Sequence, residues 1–176
     1  METINKIGHT DIYLLDQLMK GRFTKENKIL DAGCGEGRNL QYFIENDYNI
    51  VGLDKNKESI DKLKLKYPKN SFVHSKIAHI PFEDESFDRI NCIAVLHFAE
   101  NKTHFIDLFA ELLRVLEPKG MLFIRMTSNI GIENNITYLG NGVYKIPDGS
   151  TRFLLTRELL QELLQKFAIK FSEPLK

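Results

Sequence analysis

Cysteine is scarce, neither charge is in excess, and no apolar run is long enough to cross a bilayer. Each shortage removes a class of protein. The two cysteines, Cys34 and Cys92, stand on different predicted elements without metal-ligand spacing, and the five histidines are dispersed, so neither a disulfide framework nor a zinc site is indicated. Lys plus Arg equals Asp plus Glu at 24 each, so no global field recruits nucleic acid or an anionic membrane, which argues against a nucleic-acid substrate. The opening METINKIGHTD lacks the apolar core of a secretory signal. A cytoplasmic protein without a membrane segment is therefore expected. What remains is 176 residues, 43% of them hydrophobic, enough for a single domain with its own core.

The informative stretch is Lys28 to Leu40, KILDAGCGEGRNL. A short apolar run reads as a buried strand, glycines at 33, 35 and 37 make a tight turn, and an amphipathic segment starts at Leu40. Alternate glycines open backbone dihedrals closed to other residues and remove each Cβ that would keep a ligand off the main chain. If a helix N-terminus follows, its N–H groups favour a phosphate or a carboxylate. Asp31, at the strand's end, favours the carboxylate, because its charge repels a pyrophosphate and attracts an amino acid's ammonium. Arg38 occupies the place of the third glycine in a G-x-G-x-x-G dinucleotide fingerprint, so the pattern here is D-x-G-x-G-x-G. Asp54 closes the next apolar run, 21 positions after Gly33, at the offset where a βαβ unit carries a carboxylate for a ribose diol. An ordinary turn aspartate is the other reading.

Taken together, these residues resemble the first motifs of class I S-adenosylmethionine-dependent methyltransferases, and Gly35-Glu36-Gly37-Arg38-Asn39 looks like the small-molecule branch that includes tellurite-resistance methyltransferases. The resemblance runs from Lys28 to Thr127 and takes in Pro81-Phe82, the strand Phe87–Ala94 and the turn Arg114-Val115-Leu116-Glu117-Pro118-Lys119-Gly120. It implies an α/β fold, a doubly wound and mostly parallel Rossmann-like sheet, with S-adenosylmethionine as cofactor and S-adenosylhomocysteine as product. Asp31, Gly33, Gly35, Gly37, Arg38, Asp54, Lys55, Lys76, Ile77 and Ala94 are the implied cofactor contacts. Lys76 departs from the family, which carries an adenine-accepting aspartate there, and a lysine offers no acceptor.

The segments divide as 1–27, an N-terminal cap helix begun by Thr10; 28–127, the cofactor core; 128–155, a hairpin insertion; and 156–176, a last helix capped by Thr156 with a further strand at Phe167–Phe171. Phe105, Leu108, Phe109, Leu112, Leu113 and Leu116 make the apolar stripe of a helix from Thr103 to Leu116, stopped by Pro118 and reversed at Gly120. No residues up to Lys176 remain to build the family's final antiparallel strand, so either the sequence is truncated there or the exposed sheet edge is completed by a partner, as in a dimer.

His97, at the predicted end of the fourth strand, reads either as a proton acceptor for a small-molecule acceptor or as a hydrogen-bonded core histidine. Tyr13, Tyr138, Tyr144 and Arg152 are candidates for the acceptor pocket, the arginine suggesting an anionic group; cross-strand packing is the alternative. Cys34 reads as a small residue that fits its turn rather than as a nucleophile. The sequence thus predicts methyl transfer to a small molecule, with a non-catalytic cofactor-binding or assembly protein and an NAD-type oxidoreductase as rivals.

Overall fold

A computed structural model describes residues 7–173; the outer ends of the predicted first and last segments, 1–6 and 174–176, lie outside them. Five parallel strands form the central sheet: β1 (Lys28–Ala32), β2 (Asn49–Asp54), β3 (Ser71–His74), β4 (Phe87–Ile93) and β5 (Leu116–Arg125), in the order β3-β2-β1-β4-β5. Strand order reverses between β1 and β4, which is where an open α/β sheet presents its ligand crevice. Asp31 pairs with Gly52 on one side and Asn91 on the other, so the carboxylate sits near the carboxyl end of the two central strands.

Both faces of the sheet are covered, as a parallel sheet requires. Helices α1 (Ile12–Met19), α2 (Leu40–Glu45) and α3 (Lys57–Lys66) accompany a core that includes Leu14, Ile29, Leu40, Phe43, Ile60 and Leu63. The opposite core gathers Leu30, Leu53, Ile90 and Cys92 with Phe105, Leu108, Phe109 and Leu112 from α4 (Lys102–Arg114) and Leu159 and Leu163 from α5 (Arg157–Lys166). The apolar spacing that predicts these helices is the spacing that buries them.

Several local expectations are corrected. Asp11, not Thr10, caps α1: its Oδ1 accepts from the amides of Tyr13 and Leu14, while the Thr10 hydroxyl donates to the Ile7 carbonyl. Helix α4 ends at Arg114, because Leu116 already pairs with Phe87 as the start of β5. The reversal before the main run of β5 is carried by Lys119, with φ of 68°, rather than by Gly120. Gly120 is needed for room instead, since a Cβ there would lie 2.6 Å from Leu116 Cδ1.

The predicted hairpin is present and is extended. Strands β6 (Thr137–Gly140), β7 (Val143–Lys145) and β8 (Thr151–Phe153) form a small antiparallel sheet, anchored where Phe153 stacks on Phe105 at 4.8 Å. Phe167–Phe171 is not a strand. After α5 the Ile169 amide donates to the Leu164 carbonyl, Ala168 takes a φ of 51°, and Phe167 packs against Phe109, so the chain turns instead of extending. Among the described residues no strand pairs with the far edge of β5. That edge and α5 wall an open groove of about 1950 Å³ that reaches Ala94 and His97. No helix among the described residues is long and apolar enough to cross a membrane.

Candidate active site

The glycine turn leaves β1 at Ala32 and doubles back beneath the end of β2: the amides of Gly33 and Cys34 both donate to the Leu53 carbonyl, at 2.7 and 3.0 Å. Gly33, Gly35 and Gly37 all have positive φ, at 85°, 52° and 82°. Their reasons differ. A Cβ on Gly33 would lie 2.3 Å from Val95 Cγ2 and one on Gly37 2.6 Å from Leu63 Cδ2, whereas one on Gly35 would meet nothing within 4 Å. Gly33 and Gly37 therefore let the protein close on itself, and Gly35 alone keeps a cradle open.

Asp54 faces this cradle. Its Oδ2 accepts from the Gly35 amide at 2.8 Å and its Oδ1 from the Asn56 amide at 2.8 Å, so one carboxylate ties the turn to the loop after β2. Each oxygen keeps a further lone pair for a ligand hydroxyl. Asp31 lies deeper, 2% exposed, with Oδ2 lacking any hydrogen-bond partner. Burial, then the Asp54 charge, raises its pKa from 3.8 to about 7, against a lowering by the exposed guanidinium of Arg38. Beside it Asn91 is fully buried with both amide atoms unpartnered. Unsatisfied polar groups of this kind are costly in a native core and call for a partner. An ammonium supplies hydrogen bonds and the opposite charge, so these residues fit the amino-acid end of S-adenosylmethionine.

The helix-dipole expectation is corrected. Helix α2 spans only six residues, its cap Asn39 makes no side-chain cap bond, and Asn39 Oδ1 instead accepts the Asp11 amide at 2.9 Å. That bond brings the start of α1 to the glycine turn, and Asp11 Oδ2 also pairs with Arg125, at the end of β5, at 3.2 Å. Cys34 is buried, and desolvation with the charges of Asp31 and Asp54 pushes its thiol pKa up, so it is no thiolate nucleophile.

The remaining predicted cofactor contacts separate. Lys55 is exposed, and its carbonyl lies 3.0 Å from His74 Nε2. Lys76 is exposed, and its carbonyl closes a turn by accepting from His79. The Ile77 side chain is 7% exposed and belongs to the hydrophobic core, which leaves only its backbone for a ligand. Ala94 follows β4 at a φ of 60°, and its amide donates to the Arg125 carbonyl at 2.8 Å.

His97 lies on the 3-10 turn Leu96–Phe98, with Nδ1 3.4 Å from Thr127 Oγ1. Burial, then Arg152 and Arg125, hold its pKa below the usual histidine value. Tyr13 lies under the Arg125 guanidinium at 5.7 Å, apart from the Tyr138, Tyr144 and Arg152 group on the small sheet. Sequence reasoning missed Asp11, Asn91, Thr127 and Arg125. Asn91 alone carried a signal, an amide inside a strand that reads as buried on both faces.

Residues 30–124, more than half of the chain, match the family model described as a methyltransferase domain. An uncharacterized methyltransferase of Bacillus subtilis, YodH, is 31% identical over 120 residues, 66% of this chain and 47% of that protein. The chain spans between 38% and 47% of the length of the first curated relatives it matches. A solved S-adenosylmethionine-dependent methyltransferase from Methanosarcina mazei superposes with a TM-score of 0.70 at 21% identity, over 85% of this chain and 82% of that one. The 1,6-didemethyltoxoflavin-N1-methyltransferase of Burkholderia thailandensis, solved with 1,6-didemethyltoxoflavin and S-adenosylhomocysteine bound, does so at 0.64 and 20% identity, over 87% and 63%. At these identities the solved structures speak for the fold, and the family model speaks for descent. The chain belongs to the methyltransferase-domain family, in its class I S-adenosylmethionine-dependent form.

Proposed function

We propose that this domain transfers a methyl group from S-adenosylmethionine to a small-molecule acceptor, chiefly by positioning the two. The observation that carries the reading is the pair of carboxylates at the open Gly35 turn, Asp31 buried with an unpartnered oxygen and Asp54 bonded to the turn itself. When bound, the cofactor supplies an electrophilic methyl on a cationic sulfur. The chain's own task is then modest. Asp31 and the turn hold the amino-acid end, Asp54 holds the sugar diol, and the backbone near Ile77 borders the base. Fixing nucleophile and methyl in line is worth up to roughly 7 to 11 kcal/mol, which is why no elaborate catalytic constellation is required.

His97 is proposed to take the acceptor's proton. In the tautomer that donates Nδ1–H to the Thr127 hydroxyl, the lone pair stands on Nε2, and the lowered pKa favours the neutral ring. An NAD-type oxidoreductase is disfavoured by the buried carboxylate of Asp31, which would repel a pyrophosphate.

The reading is tested by melting the wild type and Asp54→Ala with and without S-adenosylhomocysteine. The wild type should gain melting temperature with ligand, by about 2.7 kcal/mol of stabilisation at one hundred times Kd, and Asp54→Ala should gain little. Equal gains in the two proteins, or no gain in the wild type, would contradict it.

A further inference from the structure

The outer face of the small sheet is built unlike its inner one. The inner face carries Phe153, 1% exposed and stacked on Phe105, and this contact fixes the sheet to the domain. On the outer face Tyr138 stands directly across from Tyr144, and Tyr144 across from Arg152, so the three side chains form one row over β6, β7 and β8. The two tyrosine rings are 5.0 Å apart. The row continues onto the main domain, because the Arg152 guanidinium lies 4.9 Å over the ring of Phe98, whose ring meets that of His97 at 4.5 Å.

Two features of this row are not explained by folding. Tyr138 is 60% and Phe98 58% exposed, so their rings do not serve the core. Among the described residues Arg152 has no carboxylate within 4.0 Å and donates to the carbonyl of Thr151, with the exposed Asp148 as a more distant counter-charge, whereas Arg125, the other guanidinium beside His97, is paired with Asp11 at 3.2 Å. A cation above an aromatic platform, with no carboxylate in direct contact and ending at the proposed proton acceptor, has the form of a recognition surface.

We propose that the row Tyr138–Tyr144–Arg152–Phe98 is the acceptor subsite, and that it takes a planar aromatic molecule bearing a carboxylate or similar anion. The ring stacks on Tyr144 and Phe98, the anion pairs with Arg152, and the nucleophilic atom is presented toward His97. This inference rests on the proposed methyl transfer, but the binding surface it names is separable from the cofactor cradle.

The test is a titration of the full chain, followed by amide chemical shifts, with 4-hydroxybenzoate, 2-naphthoate and indole-3-carboxylate and with the neutral amide of each, in the presence and absence of S-adenosylhomocysteine. At least one carboxylate should shift the amides of Tyr144 and Arg152 and should bind about tenfold more tightly than its amide. Arg152→Met should erase that preference, and Tyr144→Leu should weaken carboxylate and amide alike, with S-adenosylhomocysteine affinity unchanged in both variants. No shift at these residues with any of the three, equal binding of acid and amide, or displacement by a single-stranded oligonucleotide as effective as the free acid would overturn the proposal. A wild type that fails to bind S-adenosylhomocysteine but keeps the carboxylate preference would sink the methyl-transfer reading and leave the subsite standing.

Discussion

Asp31→Asn is expected to yield a more stable protein that no longer binds its cofactor. In the folded chain the Asp31 carboxyl is held near pKa 7 against 3.8 in the unfolded chain, chiefly because burial disfavours its charged form. A raised acid binds its proton more tightly when folded. Stability is therefore greatest where the group is protonated in both states, falls as pH rises from about 4 to about 7, and levels off above. A shift of that size corresponds to an upper bound of about 4 kcal/mol at pH 8, or on the order of 10 °C in melting temperature for a chain of this length. Asparagine has no charge to bury. Its gain over wild type should be present at pH 8 and vanish near pH 4. The binding arm has the opposite sign, because an ammonium pairs only with the ionised acid. Wild-type affinity for S-adenosylhomocysteine should fall as pH drops below about 7, by up to tenfold per unit, and that of Asp31→Asn should be low throughout. Melting curves and titrations over pH 5 to 8 check both arms.

The second large effect separates the glycines. Gly33→Ala places a methyl group 2.3 Å from Val95 Cγ2 at a φ of 85°. Left-handed backbone costs about 1–2 kcal/mol and forced overpacking about 1–3 kcal/mol more, so the expected loss of stability is several kcal/mol. Gly35→Ala meets no atom within 4 Å at a φ of 52°. It should lose only about 1–2 kcal/mol, remain folded, and bind S-adenosylhomocysteine more weakly by tenfold or more, since the added methyl occupies the open cradle. Denaturant unfolding reads the first effect and titration calorimetry the second. A Gly35→Ala protein with normal affinity would mean that the cradle is not where the ligand lies.

What the sequence made legible was whatever is encoded over short distances. The glycine turn, the carboxylate at Asp54, the cap Thr156 and the apolar stripe of α4 are local patterns, and each stands where its spacing put it. The hairpin was legible for the same reason: Gly140-Asn141-Gly142 between two alternating runs specifies its own pairing. The misreadings came where a distant contact decided. Phe167–Phe171 has the alternation of a strand, but Phe167 turns in against Phe109 on α4. Thr10 and Asp11 are both competent caps, and the choice fell to Asp11, which also meets Asn39 and Arg125. Those two partners lie far along the chain, and no local pattern announces them.

The central claim is that the turn from Gly33 to Arg38, with Asp31 below it and Asp54 facing it, holds the cofactor. The most direct measurement is an amide chemical-shift titration of the protein with S-adenosylhomocysteine. The account predicts that the largest shifts fall on Gly33, Gly35 and Gly37 and on Asp54 to Asn56, while the amides of α5 stay still. Saturable binding whose shifts fall elsewhere, with the glycine amides unmoved, would contradict it.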